Sequence, residues 1–233
     1  MAASKSSANG RPKSASISDA DAGNIFLFIP NLIGYSRVLL AGASLYFMSY
    51  HPNYCAILYS LSCLLDALDG WAARKFNQAT KFGAVLDMVT DRCTTACLLV
   101  FLSAAYTNYA VLFQVLISLD LASHYMHMYA SLDSGAASHK KVEKKRSKIL
   151  NLYYSNNKVL FTFCAANELF FLALYLLSFP DFAQNHTWPW VVAIATAPIC
   201  AAKQWINVVQ MVKAAITLAE GDVELRRRAA GKR

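Results

Sequence analysis

Four aspartates are the residues of this chain best suited to chemistry. Asp66, Asp69, Asp87 and Asp91 lie in LLDALDGWAARKFNQATKFGAVLDMVTDR (64–92), between the apolar stretches CAILYSLSCLL and TTACLLVFLSAAY. Asp66 and Asp69 are three apart and Asp87 and Asp91 four apart, so on helices each pair shares a face. A short turn at about 77–82 makes the two helices antiparallel neighbours, and the four carboxylates then converge between them. Grouped anions repel, and a single Asp at the bilayer centre already costs about 2.5–3.5 kcal/mol. Two divalent cations would supply the counter-charge. An all-oxygen ligand set without His or Cys suits Mg²⁺ or Mn²⁺ and argues against zinc. Two metals flanking an attacking and a leaving oxygen serve phosphoryl transfer.

The neighbours of the aspartates fit that chemistry. Gly70, Ala73 and Gly83 remove bulk, so a flat base or a pyrophosphate can approach the helix backbone. Arg74 and Thr80 can hydrogen-bond phosphate oxygens. Taken singly, each glycine is better explained by helix packing and the arginine by snorkelling; the constellation is not.

The elements that must hold these residues are membrane helices. The chain has 233 residues, 56% hydrophobic and 15% charged, against about 25% charged in ordinary soluble domains. About 20 apolar residues span a bilayer, and six stretches qualify: 31–49, 53–75, 84–106, 109–131, 158–179 and 188–212. The fold class is therefore an all-α membrane protein, a bundle of six transmembrane helices. NIFLFIP, before the first, is a candidate interfacial helix. Residues 1–23, rich in Ser, Ala and Gly, read as a disordered tail without a secretory signal, 24–213 as the membrane domain and 214–233 as a basic tail. The six cysteines all fall in apolar segments without a CxxC pair and read as small buried hydrophobes.

The net charge of +8 is concentrated in KKVEKKRSK (140–148) and RRRAAGKR (226–233). Beside oily helices such runs face anionic lipid more often than nucleic acid. The links at 50–53, 106–109 and 180–187 carry no Lys or Arg, so the positive-inside rule places both termini and the aspartate hairpin in the cytoplasm. Asn185-His186-Thr187 is a sequon on the other side, in a short loop close to the membrane.

Written out, the hairpin is D-x2-D-G-x2-A-R-x8-G-x3-D-x3-D, eight fixed positions, and it resembles the signature of the CDP-alcohol phosphotransferases without a departure. The resemblance implies a six-helix bundle, a homodimer, a CDP-linked donor and two metals. By position it makes Asp66, Asp69 and Asp87 metal ligands, and Asp91 the proton acceptor and a ligand of the second metal. It puts Gly70, Arg74 and Thr80 against the cytidine diphosphate part of the donor, and it implies residence in an internal membrane, the endoplasmic reticulum.

The signature does not choose the acceptor. PNLIGYSR (30–37), DLASHYMHMYASL (120–132), SHK (138–140), LYYSNNKVLF (152–161) and NELFF (167–171) resemble the inositol-accepting, fungal-like members of that family. The donor they imply is CDP-diacylglycerol and the acceptor myo-inositol. A hydroxyl-rich ring needs several convergent polar groups. Asp120, Ser123, His124 and His127 share one helix face, Asn167 and Glu168 interrupt the fifth span, and Lys203 and Gln204 the sixth. Asp120, Ser123, His124, Asn167 and Lys203 are the candidate inositol contacts, with interhelical bonding or dimer contacts as the competing explanation. Glycerol phosphate, serine or choline as acceptor, and a membrane prenyltransferase, are the alternatives. A cation transporter would need an acidic relay across the bilayer, which four aspartates at one face do not provide.

Overall fold

The structure, a computed structural model, describes residues 24–137 and 156–231. The tail 1–23, the segment SHK, the basic run 140–148 and the first part of LYYSNNKVLF lie outside the described residues. Among the described residues the chain is helical and contains no strand. We label the helices α1 (Ile29–Phe47), α2 (Pro52–Lys75), α3 (Lys81–Ala105), α4 (Ala110–Ala137), α5 (Asn157–Leu177), α6 (Pro180–Asn185) and α7 (Trp188–Ala230).

Six of these are long, in the six stretches expected to span. Four of them, over Pro52–Lys75, Thr107–Asp133, Lys158–Leu177 and Trp188–Ala230, are both long and apolar enough to cross a membrane. α1 and α3 fall outside that set. α1 carries Arg37, and α3 carries Asp87, Asp91 and Arg92, all turned towards one another, so their polarity is internal to the bundle.

In NIFLFIP the helical part is one 3₁₀ turn, Ile25–Leu27, capped by Asn24, whose side chain accepts from the Phe26 amide at 3.1 Å. α1 follows at once, with Pro30 in its first turn, where a missing N–H costs nothing. α7 runs from the last span into the basic tail as one 43-residue helix, about 65 Å long at 1.5 Å per residue. It follows α4 past the latter's polar end, where a Cβ on Gly221 would stand 3.6 Å from the Asp133 carboxylate.

α3 is the central element. It packs against α1, α4 and α5, while α1 pairs with α2 and α7 with α4 and α5. The apolar core sits at the end of the bundle where α1 turns into α2. There Met48, Cys55, Tyr59, Leu98, Leu99, Leu102, Phe171 and Tyr175 are buried together. The Tyr175 hydroxyl donates to the Met48 carbonyl at 2.7 Å, which satisfies both groups inside the bundle. Outer faces carry exposed apolar side chains such as Leu39, Val111 and Ile194, the surface that acyl chains would cover. None of the six cysteines forms a disulfide; Cys55 and Cys200 are buried, but Cys93 is exposed on α3, contrary to the sequence reading.

Candidate active site

The turn after α2 sets the geometry of the opposite end. Lys75 ends the helix, Phe76 N–H bonds the Ala72 carbonyl at 2.9 Å, and Gln78 N–H reaches back to the Ala73 carbonyl at 3.0 Å. Asn77 between them has φ 53°, the left-handed conformation that asparagine tolerates best after glycine. Thr80 then caps α3, its hydroxyl accepting from the Gly83 amide at 3.0 Å. The Gln78 side chain also accepts from the Ile29 amide at 3.1 Å. Three helix ends, those of α1, α2 and α3, are thereby tied at one place.

From that anchor α2 and α3 diverge, with α1 packed against both, so they are not the direct neighbours expected; the four aspartates converge instead around a residue of α1. Asp66, Asp69 and Asp87 each offer a carboxylate oxygen, and these oxygens lie within 4.8 Å of one another. An oxygen-only donor set this close fits a hard divalent cation. Asp69 is the most buried; Asp66 and Asp87 are open enough to be reached from outside.

A fifth residue stands among them. Arg37 of α1, 2% exposed, pairs with all four carboxylates. Its Nη1 donates to Asp69 Oδ2 and Asp87 Oδ1, both at 2.6 Å. Its Nη2 lies 2.7 Å from Asp66 Oδ1 and also bonds Asp91. One positive charge does not balance four carboxylates, so the cluster keeps an excess of negative charge that suits further cations. Sequence reasoning assigned Arg37 no role. The signal was available: a lone arginine in the middle of a predicted span is a functional candidate by default.

Beside the aspartates lies a cleft of about 140 Å³ whose walls include Asn31, Asp69, Gly70, Thr80, Gly83 and Asp87. Two of the three donor-site residues, Gly70 and Thr80, are therefore in its wall. Arg74 is exposed and folds back over Gly70, where an added Cβ would stand 3.5 Å from its Nη1. Asn31, 1% exposed, was missed. Its amide nitrogen holds the Ile25 carbonyl at 2.6 Å, while its Oδ1, facing Gly83, has no protein partner.

The candidate inositol contacts divide. Arg92, next to Asp91 in sequence, joins the first cluster to a second one. Its Nη2 is 3.3 Å from Asp91 Oδ2, and its Nη1 donates to both oxygens of Asp120 at 2.9 and 3.0 Å. The ring nitrogen Nδ1 of His124 is 2.8 Å from the Asp120 carbonyl oxygen. Asn207 reaches Asp120 at 3.5 Å and accepts from Lys203 Nζ at 2.6 Å. Gln204 donates to Asn167 at 2.9 Å, and Asn167 to Glu168 at 3.2 Å. Glu168 also accepts from Tyr59 at 2.5 Å and Thr95 at 3.1 Å. Asp120, His124, Asn167 and Lys203 thus belong to one network spanning α2, α3, α4, α5 and α7. Ser123 is fully buried beside it, and its hydroxyl bonds the Asp120 carbonyl at 3.0 Å and contacts His124. Arg92, Asn207 and Tyr59 are members that the sequence reading did not single out; Gln204 and Glu168 it had.

The family model for CDP-alcohol phosphatidyltransferases matches residues 27–212. A protein of Schizosaccharomyces pombe is 60% identical over 224 residues, 88% of this chain and 94% of its own length. One of Saccharomyces cerevisiae is 49% identical, covering 86% of this chain and 90% of its own length. One of Homo sapiens is 45% identical, covering 85% and 94%. All three carry the name CDP-diacylglycerol–inositol 3-phosphatidyltransferase. No solved structure matches the chain.

Proposed function

The chain belongs to the CDP-alcohol phosphatidyltransferase family, and from that premise we propose that it is a phosphatidylinositol synthase. It transfers the phosphatidyl group of CDP-diacylglycerol to myo-inositol and releases CMP. The observation that carries this reading is the agreement of relatives from yeasts to human, 45–60% identical, on one activity.

In this reading Asp66, Asp69, Asp87 and Asp91 hold two divalent ions, Mg²⁺ or Mn²⁺. When bound, the ions neutralise charge on the diphosphate and on the departing CMP. The cleft along Gly70 and Thr80, with Arg74 at its edge, takes the cytidine diphosphate part of the donor, while the acyl chains stay in lipid. Asp91 accepts the proton of the attacking inositol hydroxyl. The new phosphorus–oxygen bond forms opposite the one that breaks to CMP. Asp120, His124, Asn167 and Lys203 belong to the polar wall that receives the ring hydroxyls, with Ser123 behind it as support. Direct transfer is favoured over an aspartyl intermediate, because a carboxylate engaged with cations is a poor nucleophile.

The reading extends to a homodimer in the endoplasmic reticulum membrane, which rests on the family resemblance. It puts the site on the cytoplasmic side, supported by Arg74, Lys75 and Lys81 at the same end of the bundle as the aspartates.

The test is incorporation of labelled myo-inositol into lipid by purified protein with CDP-diacylglycerol and Mg²⁺ or Mn²⁺. Incorporation that a chelator abolishes is the expected result. CMP release with serine or glycerol phosphate in place of inositol would keep the metal site and overturn the acceptor. Arg74→Ala should raise the apparent KM for CDP-diacylglycerol roughly tenfold, the equivalent of about 1.5 kcal/mol for one bond to a charged group, with kcat little changed. A donor dependence identical to wild type would remove Arg74 from the site.

A further inference from the structure

The residue that the proposed chemistry leaves without a task is Arg37. It stands at the centre of the aspartates rather than at their edge. Both terminal nitrogens of its guanidinium are committed to carboxylates, two to each. It is not a snorkelling side chain: it is 2% exposed, and its Nε is buried without a partner. It is also held from behind, since the Ser62 hydroxyl donates to the Arg37 backbone carbonyl at 3.2 Å.

Any cation that binds Asp66, Asp69, Asp87 and Asp91 must deal with this guanidinium. It takes one oxygen from each of the four carboxylates, and the second oxygen of Asp91 already faces Arg92. A metal ion on the same carboxylates would lie within a few ångströms of the buried guanidinium, and like charges at that separation repel. We propose that Arg37 is a built-in competitor for the metal site: a resident cation that holds the four carboxylates together and that divalent ions must dislodge from them.

The inference rests on the reading of the aspartates as metal ligands. It gives Arg37 two opposed effects. It stabilises the bundle by compensating four clustered carboxylates, and it weakens cation binding to the same groups. The dislodged guanidinium has a new anionic partner at hand, because Asp69 and Asp87 also line the cleft proposed for the donor's diphosphate.

Mn²⁺ binding to the purified, full-length protein, followed by electron paramagnetic resonance without substrates, tests this directly. Arg37→Gln should bind Mn²⁺ at least about tenfold more tightly than wild type, since a unit positive charge is removed from contact with the ligands. In chelator it should melt below wild type, and saturating Mn²⁺ should close that gap. Arg37→Lys keeps the charge but cannot fork to four carboxylates, and it should fall between the two in both readouts. An Arg37→Gln or Arg37→Lys protein that is folded yet binds Mn²⁺ no more tightly than wild type would overturn the proposal. If wild type itself binds no Mn²⁺ in a way that Asp69→Asn abolishes, the metal-site reading fails first and the proposal falls with it.

Discussion

Asp91→Asn will abolish phosphatidylinositol formation while leaving the bundle folded. The substitution keeps the side chain's shape and an oxygen that can still accept from Arg37, so the packing of α3 against α1 is retained. What it removes is the ability to take up a proton. General-base catalysis contributes about 10²–10⁴-fold, and loss of one carboxylate from the cation cluster adds to that. The two contributions separate experimentally. If the variant binds Mn²⁺ as wild type does but turns over at least about 100-fold more slowly, Asp91 is the base. If Mn²⁺ binding is lost as well, its part as a ligand dominates. A folded Asp91→Asn enzyme with near wild-type rate would remove Asp91 from the chemistry altogether.

Gly83→Ala is expected to weaken donor binding, for a different reason. An added Cβ would stand 2.7 Å from Asn31 Oδ1 and 3.1 Å from Thr80 Oγ1. The first distance is closer than non-bonded atoms tolerate. Neither neighbour is free to retreat: Asn31 is fully buried and tied to the Ile25 carbonyl at 2.6 Å, and the Thr80 hydroxyl caps α3 through the Gly83 amide. The strain must be relieved by separating α1 from α3 at the wall of the cleft. We expect the apparent KM for CDP-diacylglycerol to rise by at least about tenfold, some 1.4 kcal/mol of binding, with a smaller change in that for inositol. Equal effects on both substrates, or none, would mean that the cleft does not hold the donor.

How far the sequence disclosed this arrangement depended on the range of the interaction. Helix periodicity and the short turn at 76–80 were local, and they placed Asp66, Asp69, Asp87 and Asp91 in one cluster. Gly70 and Thr80 fell in the cleft wall for the same reason. Arg37 enters from another helix, 29 residues before the first aspartate, and no spacing rule pairs it with them. Arg92 went unassigned for the same reason: its partner Asp120 lies on α4, 28 residues away. Ser123 shares a helix face with Asp120 and His124, and periodicity alone did not show that it is the most deeply buried of the three. The helical part of NIFLFIP stayed short because α1 begins at Ile29, leaving room for one turn before it.

The depth of the aspartates has a consequence for kinetics. Asp66 and Asp69 lie nine and six residues before the end of α2, and Asp87 and Asp91 six and ten residues after the start of α3. At 1.5 Å per residue that is about 9–15 Å in from the helix ends, no deeper than the middle of an apolar layer about 30 Å thick. A lipid can present its headgroup there without leaving its leaflet, and a small polyol can arrive from water without crossing one. The enzyme thus meets one substrate in two dimensions and the other in three. Its saturation by donor is governed by surface density, the mole fraction of CDP-diacylglycerol among the surrounding amphiphiles. Adding inert detergent at a fixed bulk amount of donor thins that density and slows the enzyme, whereas inositol keeps an ordinary molar scale.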